Sequence, residues 1–135
     1  MYDRILIAAA PDHPETLPDL LRAARALASP GARIEAMSVV LAVPTYLEVE
    51  LPKGIYEASR REVLTRLDGE LAGEEDIERI VKVGNPAREI ERHQQEGHHD
   101  LIVLRSHAPG LQDFFMGSTA GRIVRHAPCS VHVIR

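Results

Sequence analysis

Residues 101–135 read LIVLRSHAPGLQDFFMGSTAGRIVRHAPCSVHVIR, and their layout is strand, loop, Gly-Ser helix start, helix, strand. Residues 101–104 form a continuous apolar run, as a strand covered on both faces requires. Gly117-Ser118-Thr119 then opens a helix in which Ala120, Ile123, Val124 and Ala127 recur at i, i+3, i+4 and i+7. The unpaired N–H groups of its first turn would lie near the carboxyl end of that strand, where open parallel sheets bind ligands. Such a helix start attracts phosphate. The segment carries Arg105, Arg122, Arg125 and Arg135 against the single acid Asp113, in a chain with 16 basic and 20 acidic residues overall. Positive charge is therefore expected beside the anion site, and the Gly117, Ser118 and Thr119 amides are its expected donors.

Working outward, apolar runs of strand type alternate with helical patterns, which is the signature of βαβ units and a parallel sheet. Residues 2–9 read as the first strand. A helix starting at Thr16 or earlier carries Leu17, Leu20, Leu21, Ala24 and Leu27 on one face, and Ser29-Pro30-Gly31 ends it. Residues 33–40 read as the second strand, 43–54 as a loop containing Pro44, Pro52 and Gly54, and 57–71 as an amphipathic helix with Ala58, Val63, Leu64, Leu67 and Leu71. Residues 77–83 read as the third strand, Pro86 as the first turn of a helix to about residue 96, and 100–105 and 130–134 as the last two strands. No internal repeat interrupts this alternation.

Length and charge narrow the function classes. A chain of 135 residues is expected to form one domain, burying roughly 65–70% of its unfolded surface without crosslinks. Cys129 is the only cysteine, so an internal disulfide is ruled out. With no signal peptide and no apolar run near membrane-spanning length, the expectation is a cytoplasmic protein without membrane contact. A net charge of −4 and the absence of aromatics within a basic stripe argue against nucleic acid.

Residue for residue, the segment 101–135 resembles the C-terminal signature of the universal stress protein family: an apolar strand, a Gly-x2-Gly-x9-Gly-Ser/Thr loop, a helix ending near His-Ala-Pro-Cys, and a final Val-x-Val strand. Met116-Gly117-Ser118 and His126-Ala127-Pro128-Cys129-Ser130-Val131 match it, as do Met1-Tyr2-Asp3-Arg4-Ile5-Leu6-Ile7, Gly84-Asn85-Pro86 and Asp100-Leu101-Ile102-Val103 elsewhere. The spacing from Ser106-His107-Ala108-Pro109 to Gly117-Ser118 looks most like the short F/G-type bacterial branch. The resemblance implies an α/β fold: an open, five-stranded, mainly parallel sheet of order 3-2-1-4-5 with helices on both faces. It also implies a homodimer through the C-terminal strand, which has neither Pro nor Lys after Ser130 to protect an exposed edge.

By the same resemblance the ligand is ATP or another adenine nucleotide, and the candidate binding residues are Val39, Leu104, Arg105, Ser106, His107, Gly117, Ser118 and Thr119. This chain departs from the family pattern at three places. Ala8-Ala9-Ala10 leaves Ala10 where nucleotide-binding members carry an adenine-contacting Asp. Arg105 and Ala108 replace the first two loop glycines, and the loop is one residue shorter, with Gly110 supplying some flexibility. Arg105 has two readings, a bidentate phosphate ligand or a pocket filler paired with Asp12 or Asp113. Gly117 and Ser118 also have two, anion binding or helix–strand packing with a serine cap.

Other chemistry finds less support. His93, His98 and His99 lie in HQQEGHHD without carboxylate or cysteine partners at metal-site spacing, so a solvated loop and no metal are expected. His107 reads as a loop-stabilising residue, His126 as a cation complementing a helix C-terminus, and Cys129 as a small buried hydrophobe. No acidic cluster follows the first strand, as a magnesium-dependent phospho-acceptor needs, and neither Gly-x4-Gly-Lys-Ser/Thr nor Gly-x-Ser-x-Gly occurs. The expected function is a stress-response regulatory module with a reduced, phosphate-binding nucleotide site and no catalytic residues; the alternative is an ATP-binding protein with slow ATPase or autophosphorylating activity.

Overall fold

In the computed structural model, which describes residues 1–48, 51–106 and 116–135, the strands are β1 (Tyr2–Ala8), β2 (Ala28–Leu41), β3 (Glu78–Gly84), β4 (Leu101–Arg105) and β5 (Ser130–Ile134). All pairings are parallel and the order is β3-β2-β1-β4-β5. The helices are α1 (Leu17–Leu27), α2 (Thr45–Glu48), α3 (Ile55–Glu70), α4 (Pro86–Gly97) and α5 (Ser118–His126), with a 3-10 turn at Pro14–Thr16 before α1. The parallel sheet is the one expected from the alternation of strand and helix patterns, and its order is the one that the resemblance implies.

Because side chains alternate along a strand, an all-apolar strand feeds two cores. Ile5 and Ile7 of β1 pack with Leu17, Leu20 and Ala24 of α1 and Leu67 of α3 on one face. Leu6, on the other, packs with Met37, Ile102, Ile90 of α4 and Ala120 and Ile123 of α5. Ala58 and Val124, assigned to apolar helix faces from periodicity, are exposed. Among the described residues no helix is long and apolar enough to cross a membrane.

Two boundaries differ from the sequence reading. Ser29-Pro30-Gly31 does end α1, yet the chain passes at once into β2 at Ala28, five residues before residue 33. Pro30 and Gly31 are tolerated because they fall near the start of the strand, where the β1–β2 register shifts between Tyr2 and Arg4. The predicted loop at 43–54 also contains the short helix α2.

The third helix of the sequence reading, now α4, is bounded by local chemistry. Asn85 caps it, its side chain accepting from the Arg88 N–H at 3.1 Å, and Pro86 sits in the first turn. His98 closes it in the left-handed conformation, φ +52°. Since glycine takes that conformation freely, His98→Gly is expected to raise stability by roughly 0.5 kcal/mol, the strain relieved exceeding the added freedom of the unfolded chain. Urea denaturation reads this, and a loss of stability would contradict it. Asp100 then fixes the entry to β4: its carboxylate accepts from the Asp3 and Arg4 N–H groups, both at 2.9 Å. Burial works against ionisation there, but these donors outweigh it and hold the carboxyl below its ordinary value.

Candidate functional site

A cleft of about 650 Å³ opens at the carboxyl ends of β1 and β4, where the strand order reverses. Val39, Leu104, Arg105, Ser106, Gly117, Ser118 and Thr119 all line it. His107 lies outside the described residues, as do Ala108, Gly110 and Asp113. The volume is within the usual range for small-molecule sites, roughly 300–1,000 Å³.

The floor of the cleft is built by the end of β1. The Ala9 N–H donates to Met37 O at 2.8 Å, and the buried Ser38 hydroxyl donates to Ala9 O at 2.8 Å, so the chain leaves β1 at a fixed angle. The His13 N–H then turns back to Ala10 O at 3.2 Å. Ala10 lines the cleft exposed and with only a methyl group to offer. An adenine amino group meeting this edge finds no side-chain acceptor on Ala8, Ala9 or Ala10.

At the other end, α5 starts with Gly117 as N-cap and Ser118 as its first helical residue. The Gly117 N–H donates to the Ser106 carbonyl, closing the loop onto β4, which removes it from the expected set of anion donors. The N–H groups that helix geometry leaves without intrahelical partners therefore begin at Ser118 and run through Thr119 and Ala120. No side chain among the described residues caps this terminus, and Ser118 is the first helical residue, so the serine-cap reading of Ser118 is also set aside. What remains at the cleft is a helix start whose first amides have no partner among the described residues and can meet an anion.

Of the two expected partners of Arg105, Asp113 lies outside the described residues and Asp12 forms no ion pair with it; among the described residues the pair that forms is with Asp19 of α1, Nη1 to Oδ2 at 3.7 Å. This exceeds the roughly 2.7–2.9 Å of a charge-assisted hydrogen bond. Its Nε is buried without a hydrogen-bond partner among the described residues. The guanidinium thus stands in the cleft, held in place by attraction more than by hydrogen bonds. The wider concentration of positive charge is diluted, since Arg122 pairs with Glu91 at 3.2 Å. A second cation comes from an element that the sequence reading did not connect to the site. Arg66 of α3 lines the cleft and donates to Pro11 O at 2.9 Å. Its i,i+4 partner Glu62 marked a polar helix face, but nothing local tied that face to the end of β1.

The histidines behave differently from expectation. His99 is buried and His93 mostly so, and both meet a carboxylate, that of Glu35 on β2, with Nε2 to Oε distances of 2.6 and 3.1 Å. Only His98 is exposed, as in a solvated loop. Cys129 is half-buried and packs against the second core. Burial, reinforced by the charge of Asp100, pushes its thiol above the ordinary value. Alkylation by iodoacetamide near pH 8 is accordingly expected to be several-fold slower than for a free thiol, because the thiolate is the nucleophile. Mass spectrometry over time reads the rate; parity with a free thiol would contradict the account.

The model of the Universal stress protein family matches residues 1–135. A curated relative, the universal stress protein of Methanothermobacter thermautotrophicus, is 28% identical over 78 residues, covering 55% of this chain and 53% of its own. The matched region thus spans about half the length of that relative. Among solved structures, hypothetical protein MJ0577 superposes with a TM-score of 0.82 at 21% identity, over 99% of this chain and 96% of that one. A universal stress protein in complex with cAMP gives 0.62 at 21% identity, over 99% and 97%. Arabidopsis thaliana At3g01520 with AMP bound gives 0.57 at 17% identity, over 98% and 90%. At these identities the likeness is one of fold.

Proposed function

Because the chain belongs to the universal stress protein family, we propose that it acts as a homodimeric cytoplasmic stress-response module whose cleft holds the phosphates of an adenine nucleotide more firmly than the base. The observation that carries this reading is the contrast between the two ends of the cleft. One presents the open first turn of α5 with Arg105 beside it; at the other, the position leaving β1 offers only the methyl groups of Ala8, Ala9 and Ala10, with Pro11, Asp12 and Arg66 farther along the lining. Two structures of this fold are described with cAMP and with AMP, which supports an adenine nucleotide as the class of ligand.

Ala10→Asp tests the adenine end. It restores an acceptor at the cleft edge, and ATP affinity is expected to rise roughly tenfold, the worth of about one hydrogen bond. Equilibrium dialysis with and without magnesium measures this, and unchanged affinity would show that the base does not reach this edge.

The dimer reading rests on β5, which lies at the edge of the sheet. Successive residues of a strand direct their backbone polar groups to alternate sides. Ile134 O accepts from the Ser106 N–H at 2.8 Å, so Ile134 faces β4 and the N–H groups of Val131 and Val133 face outward. An unpaired edge of this kind invites a second copy about a two-fold axis. Val133→Pro removes one outward donor while leaving the β4 ladder its hydrogen bonds, and is expected to shift the protein from dimer to monomer in sedimentation equilibrium. A wild-type chain that sediments as a monomer at high micromolar concentration would overturn the dimer.

A further inference from the structure

We propose that Glu35, His93 and His99 form a binding site for a divalent transition-metal ion of the zinc type, at the end of the sheet opposite the nucleotide cleft. Glu35 pairs in register with Glu78, the first residue of β3. His99 immediately precedes Asp100 and β4, and His93 lies in the second half of α4. The three residues therefore gather at the amino ends of β3 and β4, away from the carboxyl ends that bear the cleft. On β2, Glu35 alternates with Ala36 and shares its face with Met37 and Val39, the face that α4 covers. A carboxylate is thus presented to the underside of α4 from within the sheet.

One donor atom from each residue lies within 4.8 Å of the other two. Ligand atoms about 2.0–2.2 Å from a tetrahedral ion would stand roughly 3.4 Å from one another. The two imidazole nitrogens already face opposite oxygens of the same carboxylate at 3.1 and 2.6 Å, so adjustments of about an ångström at the carboxylate and rings would open space for the ion. Two imidazoles and a carboxylate are the donor set that suits zinc, and three protein ligands leave a fourth position for water. The 20% exposure of His93 gives that position a path to solvent.

Neighbouring residues fit this role. His99 is 1% exposed at its side chain, and its Nδ1 has no hydrogen-bond partner among the described residues, so its polar contact on the ring is through Nε2 to Glu35. Gly97 makes room for the ring: a Cβ there would collide with His99 Cε1. The nearby cation is Arg33, whose Nε is 3.9 Å from Glu35 Oε2, but its guanidinium is drawn to Glu78 at 2.8 Å. Its exposed side chain is free to swing outward as a dication enters.

The test uses the untagged chain, treated with chelator and titrated with Zn²⁺ by calorimetry, and with Co²⁺ followed by visible absorption. One Zn²⁺ per chain is expected, with Co²⁺ bands of a four- or five-coordinate ion. His93→Asn and Glu35→Gln should each weaken binding at least a hundredfold while circular dichroism shows an intact fold, and His98→Asn should leave binding unchanged. His93 is partly exposed, so its variant keeps the test valid even if replacing the buried His99 prevents folding. Absence of Zn²⁺ binding, retention of wild-type affinity in both His93→Asn and Glu35→Gln, or its loss in His98→Asn would overturn the proposal.

Discussion

Arg105→Ala is expected to lower the affinity for ATP by roughly 10- to 100-fold, since a hydrogen bond from a charged donor to phosphate contributes about 1.5–3 kcal/mol. The guanidinium lines the cleft near the α5 N-terminus, and its 3.7 Å approach to Asp19 leaves donor capacity unspent. Its side chain is only 25% exposed, which limits screening by solvent. Asp19 competes with phosphate for the same cation and already has Arg22 at 3.0 Å. Asp19→Asn should consequently raise ATP affinity a few-fold, the opposite sign from Arg105→Ala. If Arg105→Ala instead strengthened binding, the side chain would be a plug in the site and the phosphate assignment would fall.

Ile102→Ala is the substitution expected to cost most stability. Ile102 is fully buried in β4, between β1 and β5, in the core beneath α4 and α5. Removing three carbons there leaves a cavity whose neighbours are held by the sheet, and the cost is about 3–4 kcal/mol. For a chain of this size that lowers the midpoint of thermal unfolding by roughly 10 °C. Calorimetry measures both. A loss below 1 kcal/mol would mean that the two faces of the sheet repack far more freely than the fold implies.

What was legible in the sequence was what repeats locally. The apolar run at 101–104 and the period of α1 led directly to β4 and α1, because burial on both faces or on one face writes its own periodicity. The cleft position followed from the strand order that the family resemblance implies, since that order decides where a parallel sheet opens. What was illegible depends on pairing across the fold. Glu35 and His93 are 58 residues apart in sequence, and nothing near HQQEGHHD announces the carboxylate that meets it. Nearness to the loop points Arg105 to Asp12 or Asp113; Asp113 lies outside the described residues, and among those described α1 brings Asp19 in place of Asp12. The donor count at Gly117-Ser118-Thr119 failed for a related reason: closing the loop onto Ser106 consumed one amide, a tertiary hydrogen bond that no motif records.

The central claim is that the cleft recognises phosphate ahead of adenine, and equilibrium dialysis of the wild-type chain against ATP, inorganic tripolyphosphate and adenosine tests it most directly. The account predicts saturable binding of ATP and tripolyphosphate with dissociation constants within about tenfold of each other, the difference being about one hydrogen bond's worth of base recognition, and no measurable binding of adenosine. Adenosine bound as tightly as ATP, or no retention of either phosphate compound, would contradict it.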